Sequence, residues 1–181
     1  MTALTQQSPR GLLATLAQGS LDGAWTLDPS KSSVLLKTKS MWGLLRISAV
    51  FTDLQGDLAV VAGVAKARIA LGTGSIDTKN TKRDKHLKSD DFLASEKFPH
   101  LVFVLNSVAP SPTAIKANGT LTVRDKTRPI VLEATVTASD SKVTVTSEFD
   151  VDRGDYHMTW NQLGMASNNN SVSITAVFTR P

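Results

Sequence analysis

The sequence predicts a mainly β fold, a closed antiparallel β-barrel of about eight strands with two short helices. Short segments alternate apolar and polar residues with a period of two, turn residues separate them, and no strand–helix–strand repeat interrupts them. In residues 171–179, for example, Val172, Ile174, Ala176 and Phe178 fall on one face of a strand. Many antiparallel strands in series avoid exposed edges by closing on themselves, which favours a barrel.

Turn residues divide these segments. Glycines or acidic residues mark candidate turns at positions 55–57, 118–119, 124–126 and 139–141. One segment, residues 101–105, is apolar on both faces and therefore needs cover outside as well as inside. Such cover could come from a helix or from a second copy of the chain, so a homodimer is one expectation.

The N-terminal helix is predicted in the first 20 residues. Ser8 followed by Pro9 is a helix-start pair, and Leu12, Leu13 and Leu16 share one helical face. We expect residues 1–20 to form an extension, helical in part, and residues 21–181 to form a single barrel domain.

The second helix is predicted at about residues 81–89. The surrounding segment, residues 77–91, is charged and breaks the alternation of the strands. Thr81 and Asp84 have the spacing of an N-terminal capping box, and Lys85, His86 and Lys88 lie near the C-terminal end, where cations suit the helix dipole. This helix is expected to cover the barrel as a lid or from the side.

The composition of the chain limits the kinds of function that it can have. The chain has 181 residues, 41% of them hydrophobic, and no cysteine, which excludes disulfides, thiolate zinc sites and cysteine nucleophiles. No apolar run reaches the length of a membrane-spanning helix, although transient contact with a membrane remains compatible with the cationic first half. The N-terminus lacks the cationic start of a secretory signal, so a cytoplasmic location is expected.

Four motifs in order resemble one known family. The run from Ser75 through Lys82-Arg-Asp-x-His-Leu to Phe98-Pro-x-Leu-x-Phe resembles the signature of the YceI-like family of lipocalin-fold, polyisoprenoid-binding proteins. Trp25-Thr-Leu-Asp-Pro, the stretch from Gly119 to Ile130, and Phe149-x-Val-Asp-Arg-x-Asp-Tyr-x-Met are similar to further parts of it. The resemblance covers about residues 22–180.

The resemblance implies a lipocalin-like barrel that carries an apolar ligand. The expected function is binding, sequestration or transport of a long-chain isoprenoid-type or acyl lipid; the alternative is a structural or stress-protective interaction module in which the lipid is incidental. Members often have histidine where this chain has Lys31 and Ser40. The polar end of the ligand is therefore expected to be held differently, or to be a different group.

The residues themselves favour a hollow interior, because many inward positions carry alanine or valine and such a barrel can hold one small ligand. For any one position, packing of these side chains against each other is an equal alternative. The candidate lining residues are Trp25, Leu45, Ile47, Phe51, Ile69, Phe103, Leu105, Leu121, Val145, Phe149 and Phe178.

The barrel mouth is predicted at Trp42 and Phe92. Arg83, Lys85 and His86 are candidates for binding a phosphate or carboxylate head group. The alternative for Arg83 is an internal ion pair with Asp84 that fixes the helix.

Other classes of function fit the sequence less well. His86, His100 and His157 lack the spacing of metal ligands, and no nucleophile–base pattern can be traced, so neither a metal site, a cofactor nor an enzyme is expected. Nucleic-acid binding is also not expected, because only 6% of residues are aromatic and basic residues do not alternate with them as a base-stacking surface requires.

Overall fold

Antiparallel strands dominate the computed structural model, which describes residues 8–180, and they confirm the predicted fold class. The eleven strands of the described chain are β1 (Gly23–Leu27), β2 (Ser33–Ser40), β3 (Leu45–Phe51), β4 (Leu54–Val61), β5 (Val64–Gly72), β6 (Ile76–Asp77), β7 (His100–Pro110), β8 (Ile115–Val123), β9 (Lys126–Ala138), β10 (Lys142–Asp152) and β11 (Asn169–Thr179).

Eight of these strands close a ring in the order β1-β4-β5-β7-β8-β9-β10-β11, and pairing of Leu27 with Phe178 joins its two ends. The long strand β11 pairs with β1 near its C-terminus and with β2 over residues 171–175. Strands β2, β3 and β6 therefore extend from the ring as a side sheet. This closed eight-stranded barrel is lipocalin-like, as predicted.

The N-terminal helix, α1 (Pro9–Ala17), closes one end of the barrel. Its first turn is capped by Ser8, whose Oγ accepts a hydrogen bond from the backbone N of Gly11 at 3.1 Å. Leu12 and Leu16 are buried and pack into the barrel core, where the helix contacts β5, β7 and β9. Residues 1–7 of the predicted extension lie outside the described residues.

The second helix, α2 (Thr81–Lys88), confirms the prediction to within one residue and lies between β6 and β7, at the end of the barrel opposite α1. Its cap differs from the expected one. Asn80 is the N-cap, and its Oδ1 accepts a hydrogen bond from the backbone N of Arg83 at 3.0 Å. Asp84 instead accepts hydrogen bonds from the backbone N and the Oγ1 of Thr78, at 2.9 and 2.5 Å. It thereby ties the helix to the end of β6.

Two of the predicted turns are wrong, because Gly56 lies inside β4 and Gly119 inside β8. A Cβ on Gly56 would lie 2.9 Å from the carbonyl oxygen of Arg68, and one on Gly119 would lie 2.8 Å from Cε2 of Phe103. These glycines allow close packing within the sheet rather than a change of direction. The predicted turns at Arg124, which has a φ of 57°, and at residues 139–141 are confirmed.

Candidate functional site

The barrel interior contains a cavity of about 430 Å³. This volume lies within the range of small-molecule pockets, about 300–1,000 Å³. Alternation along the strands positions the lining: on β11, Val172, Ile174, Ala176 and Phe178 all face the cavity, as the period of two predicts. Most lining residues are apolar, so the cavity suits a hydrocarbon.

Nine of the eleven residues predicted to line a cavity do so. They come from both halves of the ring and from the side sheet, which means that the inward faces were assigned correctly on these strands. The nine are Ile47, Phe51, Ile69, Phe103, Leu105, Leu121, Val145, Phe149 and Phe178.

The assignment of Trp25 and Leu45 to the lining is wrong. Trp25 is 1% exposed and lies in the core at the α1 end, where its Nε1 donates to the carbonyl oxygen of Leu21 and the guanidinium of Arg180 lies 4.0 Å from its ring centroid. Leu45 is 44% exposed. It is the first residue of β3 and lies beyond the end of the cavity, whereas Ile47, two residues further along the same face, lines it. Both errors concern position along the strand, not the choice of face.

Polar groups gather at the α2 end of the cavity. The ends of β2, β10 and β11 meet there, since Asp152 pairs with Asn169 and Ser171 with Lys37. No carboxylate lines the cavity in the described chain, so the charged lining residues are all cations. The polar lining residues are Thr38, Lys39, Ser40, Thr78, Arg83, His86, Ser147, Arg153, Ser167 and Asn170.

Arg153 is a buried cation of this mouth. It is 4% exposed; its Nε donates to the carbonyl oxygen of Ser167 at 3.1 Å and its Nη1 to that of Trp160 at 2.8 Å. Its Nη2 is buried without a hydrogen-bond partner among the described residues, and no carboxylate in residues 8–180 forms an ion pair with it. Burial lowers the pKa of Arg153, and Asp152 partly offsets this. The guanidinium therefore lacks both a counter-ion and a partner for one of its nitrogens.

Three rings form an aromatic cluster beside this guanidinium. His86 stands edge-on to Trp160, with 4.4 Å between ring centroids, and to Phe92, with 5.1 Å. Phe92 and Trp160 are 5.3 Å apart, and Cζ of Arg153 lies 5.4 Å from the Phe92 ring centroid. This cluster joins α2 to the segment that follows β10, and all four side chains border the cavity.

The predicted mouth and head-group residues are only partly brought together. Phe92, Arg83 and His86 line the cavity. Trp42 does not, because it is 70% exposed on the β2–β3 connection, and Lys85 is exposed on the outer side of α2. Trp42 and Lys85 therefore lie outside the cavity lining, and their predicted roles at the mouth and beside a head group stay predictions.

Arg83 is held by Thr78 rather than by a direct pair with Asp84. Its Nε donates to the Oγ1 of Thr78 at 2.8 Å and its Nη2 to the Thr78 carbonyl oxygen at 3.1 Å. The Thr78 hydroxyl in turn donates to Asp84, so the expected charge interaction is relayed through one hydroxyl. His86 has its own partner, since its Nε2 lies 2.9 Å from Oδ2 of Asp91.

Sequence reasoning missed Arg153 and Trp160. Arg153 is part of the motif Phe149-x-Val-Asp-Arg, and this motif is the one feature of the sequence that points to it. The residues next to an arginine in the chain do not indicate whether its side chain is buried. Trp160 lies in an irregular segment after β10, where no periodicity indicates which way a side chain faces.

Of the two positions at which the family resemblance implies histidine, only one borders the cavity. Ser40 lines it, whereas Lys31 is exposed and pairs with Asp28 at 2.6 Å. The described residues include no group of three His, Asp or Glu side chains that could hold a metal ion. Among the same residues no helix is long and apolar enough to span a membrane.

A family model described as the YceI-like domain matches residues 25–179. The chain belongs to the YceI-like family. Helix α1 precedes the matched region, whereas the barrel and the cavity mouth fall within it.

Two curated relatives are similar over part of the chain. Protein YceI of Escherichia coli O6:H1 is 41% identical over 69 residues, which are 38% of this chain and 36% of that protein. A UPF0312 protein of Shewanella baltica OS185 is 29% identical over 127 residues, 68% of this chain and 66% of that protein. The matched part of the chain thus spans about a third of the length of the Escherichia coli protein and just under two-thirds of the length of the Shewanella baltica protein.

Solved structures share the YceI-like fold over most of the chain. Burkholderia cenocepacia BcnA superposes with a TM-score of 0.75 at 16% identity, covering 83% of this chain and 98% of BcnA. A Saccharophagus degradans domain described as polyisoprenoid binding gives 0.72 at 13% identity, covering 87% and 98%. Campylobacter jejuni YCEI gives 0.67 at 20% identity, covering 76% and 87%. At these identities the likeness establishes the fold.

Proposed function

We propose that this protein binds a long-chain isoprenoid-type lipid, with the tail inside the barrel and the polar head at the α2 end. The observation that carries the proposal is the distribution of polarity in the cavity: its charged lining residues, Lys39, Arg83 and Arg153, all lie at one end. A lipid with one polar end and a long apolar tail has the complementary distribution. The polyisoprenoid-binding domain that shares this fold supports the same class of ligand.

The free energy of burying the lipid tail is large enough for binding. Burial of roughly twelve methylene equivalents at about 0.8 kcal/mol each contributes about 10 kcal/mol. Loss of ligand freedom removes several kcal/mol of that, which leaves micromolar or tighter binding.

The unpartnered Nη2 of Arg153 favours a head group with strong acceptor oxygens. A buried donor without a partner costs free energy, and a phosphate or carboxylate oxygen would supply both the hydrogen bond and the missing negative charge. Arg83 and His86 border the same space and would face the same group. We therefore place an anionic head beside Arg153.

The direct experiment is purification under native conditions, extraction with organic solvent and mass spectrometry of the extract. We expect a polyprenyl lipid with an anionic head, such as a prenyl phosphate, in stoichiometric amount. A barrel that is empty and that also refuses added prenyl lipids would overturn the proposal.

A charge placed in the lining tests whether the lipid binds in the cavity or on the outer surface of the barrel. Ile69→Glu and Phe103→Asp put a carboxylate into the apolar lining, which is costly, and should abolish lipid retention. Val131→Glu is the matched control, because Val131 is 58% exposed on β9 and faces outward. Normal retention by a folded Ile69→Glu protein would show that the lipid lies elsewhere.

We further propose that the protein is a carrier that transports its lipid, rather than an enzyme or a structural module in which the lipid is incidental. Exchange of a labelled lipid between the loaded protein and vesicles within minutes to hours is the expected result. A lipid that stays trapped until the protein unfolds would instead assign the structural role.

A further inference from the structure

Large apolar side chains are exposed together at the α2 end of the barrel. Of the eight exposed large hydrophobic residues in the described chain, five lie in the β2–β3 connection, at the first residue of β3 and in the short turn Gln162–Gly164. Such a concentration is typical of a contact surface, whereas single exposed apolar residues need no explanation. These five residues, the apolar rim, are Met41 (47% exposed), Trp42 (70%), Leu44 (85%), Leu45 (44%) and Leu163 (78%).

Backbone hydrogen bonds hold the two segments of the apolar rim side by side. The backbone N of Trp42 donates to the carbonyl oxygen of Met165 at 3.4 Å, and that of Ser167 donates to the carbonyl oxygen of Lys39 at 2.9 Å. Lys39 and Ser167 also line the cavity. The apolar rim therefore borders the mouth through which a ligand would enter.

The backbone of the apolar rim is also strained. Met41, Trp42 and Leu163 have φ values of 51°, 54° and 55°, in the left-handed region that bulky L-residues disfavour. The same residues thus carry two costs, an unfavourable backbone and an apolar side chain in water. A contact that covers these side chains would remove the second of these costs.

Cations flank the apolar rim along the chain. Lys37, Lys39 and Arg46 are exposed on β2 and β3. The sequence contains no Asp or Glu in residues 37–48 or in residues 156–170, the two segments that carry the apolar rim. A surface of Trp and Leu side chains with flanking Lys and Arg matches the interface of an anionic bilayer in both polarity and charge.

We infer that the apolar rim docks the cavity mouth onto an anionic lipid bilayer. Trp42 would sit at head-group level, where tryptophan is favoured in membrane proteins, and Leu44 and Leu163 would enter the acyl boundary. A lipid could then pass between bilayer and barrel without crossing water. A second copy of the chain fits less well, because a two-fold contact would bring the same cationic patch of both copies together, and these two segments contain no carboxylate to pair with it.

The experiment is sedimentation of the protein with vesicles of phosphatidylglycerol and phosphatidylcholine (1:1), compared with pure phosphatidylcholine. We expect binding to the anionic vesicles that weakens with salt, and at least tenfold weaker binding by the Trp42→Ser/Leu44→Ser protein. Val61→Ser/Val64→Ser is the matched control, since these valines are 70% and 55% exposed on the β4–β5 hairpin near α1. It should bind within twofold of the unchanged chain.

Removal of positive charge tests whether the apolar rim prefers an anionic bilayer. Lys37→Gln/Arg46→Gln should lose most of the preference for anionic vesicles and leave the folded barrel unchanged. Ile69→Glu, which should empty the cavity, is expected to bind vesicles normally, so failure of docking and failure of lipid binding are distinguishable. Equal binding by the Trp42→Ser/Leu44→Ser protein, or a dimer in sedimentation velocity that this double change abolishes without any vesicle binding, would overturn the inference.

Discussion

The ring of Phe103 on β7 lies against Gly119 on the neighbouring strand β8, in space that any side chain at position 119 would occupy. A Cβ there would lie 2.8 Å from Cε2 of the ring and would also meet the carbonyl oxygen of Val104. An aromatic ring that covers a glycine on the adjacent strand stabilises a sheet where the glycine alone would weaken it. Phe103 thus packs on the barrel wall while it lines the cavity.

Gly119→Ala is therefore expected to destabilise the protein. The added methyl group must displace both an aromatic ring and a backbone carbonyl, and overpacking of this kind costs about 1–3 kcal/mol. Urea denaturation followed by circular dichroism measures the change. Gly74→Ala is the control, since a Cβ at Gly74 meets nothing within 4 Å. Equal midpoints for the two variants would show that the ring moves aside without cost.

Helix α1 should contribute to stability as a cover of the barrel end. Leu12 is 3% exposed, and its replacement by alanine leaves a cavity in the core, with an expected loss of about 2–5 kcal/mol. Ala14→Ser, at an exposed position of the same helix, should change the free energy of unfolding by less than about 0.5 kcal/mol. A small loss for Leu12→Ala would indicate that the helix is only loosely attached.

The strands and the inward faces could be predicted because alternation and burial follow the same period. That correspondence explains why Ile69, Phe103 and Phe149 were placed in the cavity from sequence alone. It fails at strand ends, as Leu45 shows, since alternation gives the face of a residue and not its height in the barrel.

The glycines and the mouth could not be predicted on the same basis. Asn118-Gly119 has the composition of a hairpin turn, and the neighbouring ring of Phe103 together with the carbonyl oxygen of Val104 explains a glycine inside a strand. The burial of Arg153 depends on carbonyl groups of Trp160 and Ser167, which belong to a segment without periodicity. These features arise from tertiary contacts.

Arg153 should determine which head group the protein prefers. Removal of a hydrogen bond to a charged group costs about 1.5–3 kcal/mol, so Arg153→Met should weaken binding of a prenyl phosphate by about tenfold or more. Binding of the corresponding neutral prenol should change less than about threefold, because the tail contacts are unaffected. Fluorescence displacement with both lipids measures the ratio. Parallel losses for the two lipids would assign Arg153 a purely structural role.

The cap of α2 offers a local test of the helix start. Asn80→Ala removes the acceptor for the backbone N of Arg83 and should cost about 1 kcal/mol. Thr81→Ala should cost less, because Thr81 is the first helical residue and its side chain is exposed. Thermal unfolding measures the loss of stability in each variant. A larger loss for Thr81→Ala than for Asn80→Ala would identify Thr81 as the cap.

Asp28 should titrate well below an ordinary aspartate. A hydrogen bond from Lys31, with others from Ser30, lowers the pKa of Asp28 from 3.8 to about 2. Because the folded pKa is the lower one, the stabilisation is present above pH 3.8 and is lost as the pH falls toward 2. Lys31→Ala should move the NMR-measured pKa toward 3.8, whereas Lys37→Ala, on the outer face of β2, should leave it unchanged. A value near 3.8 in the unchanged chain would mean that the 2.6 Å contact between Asp28 and Lys31 does not persist in solution.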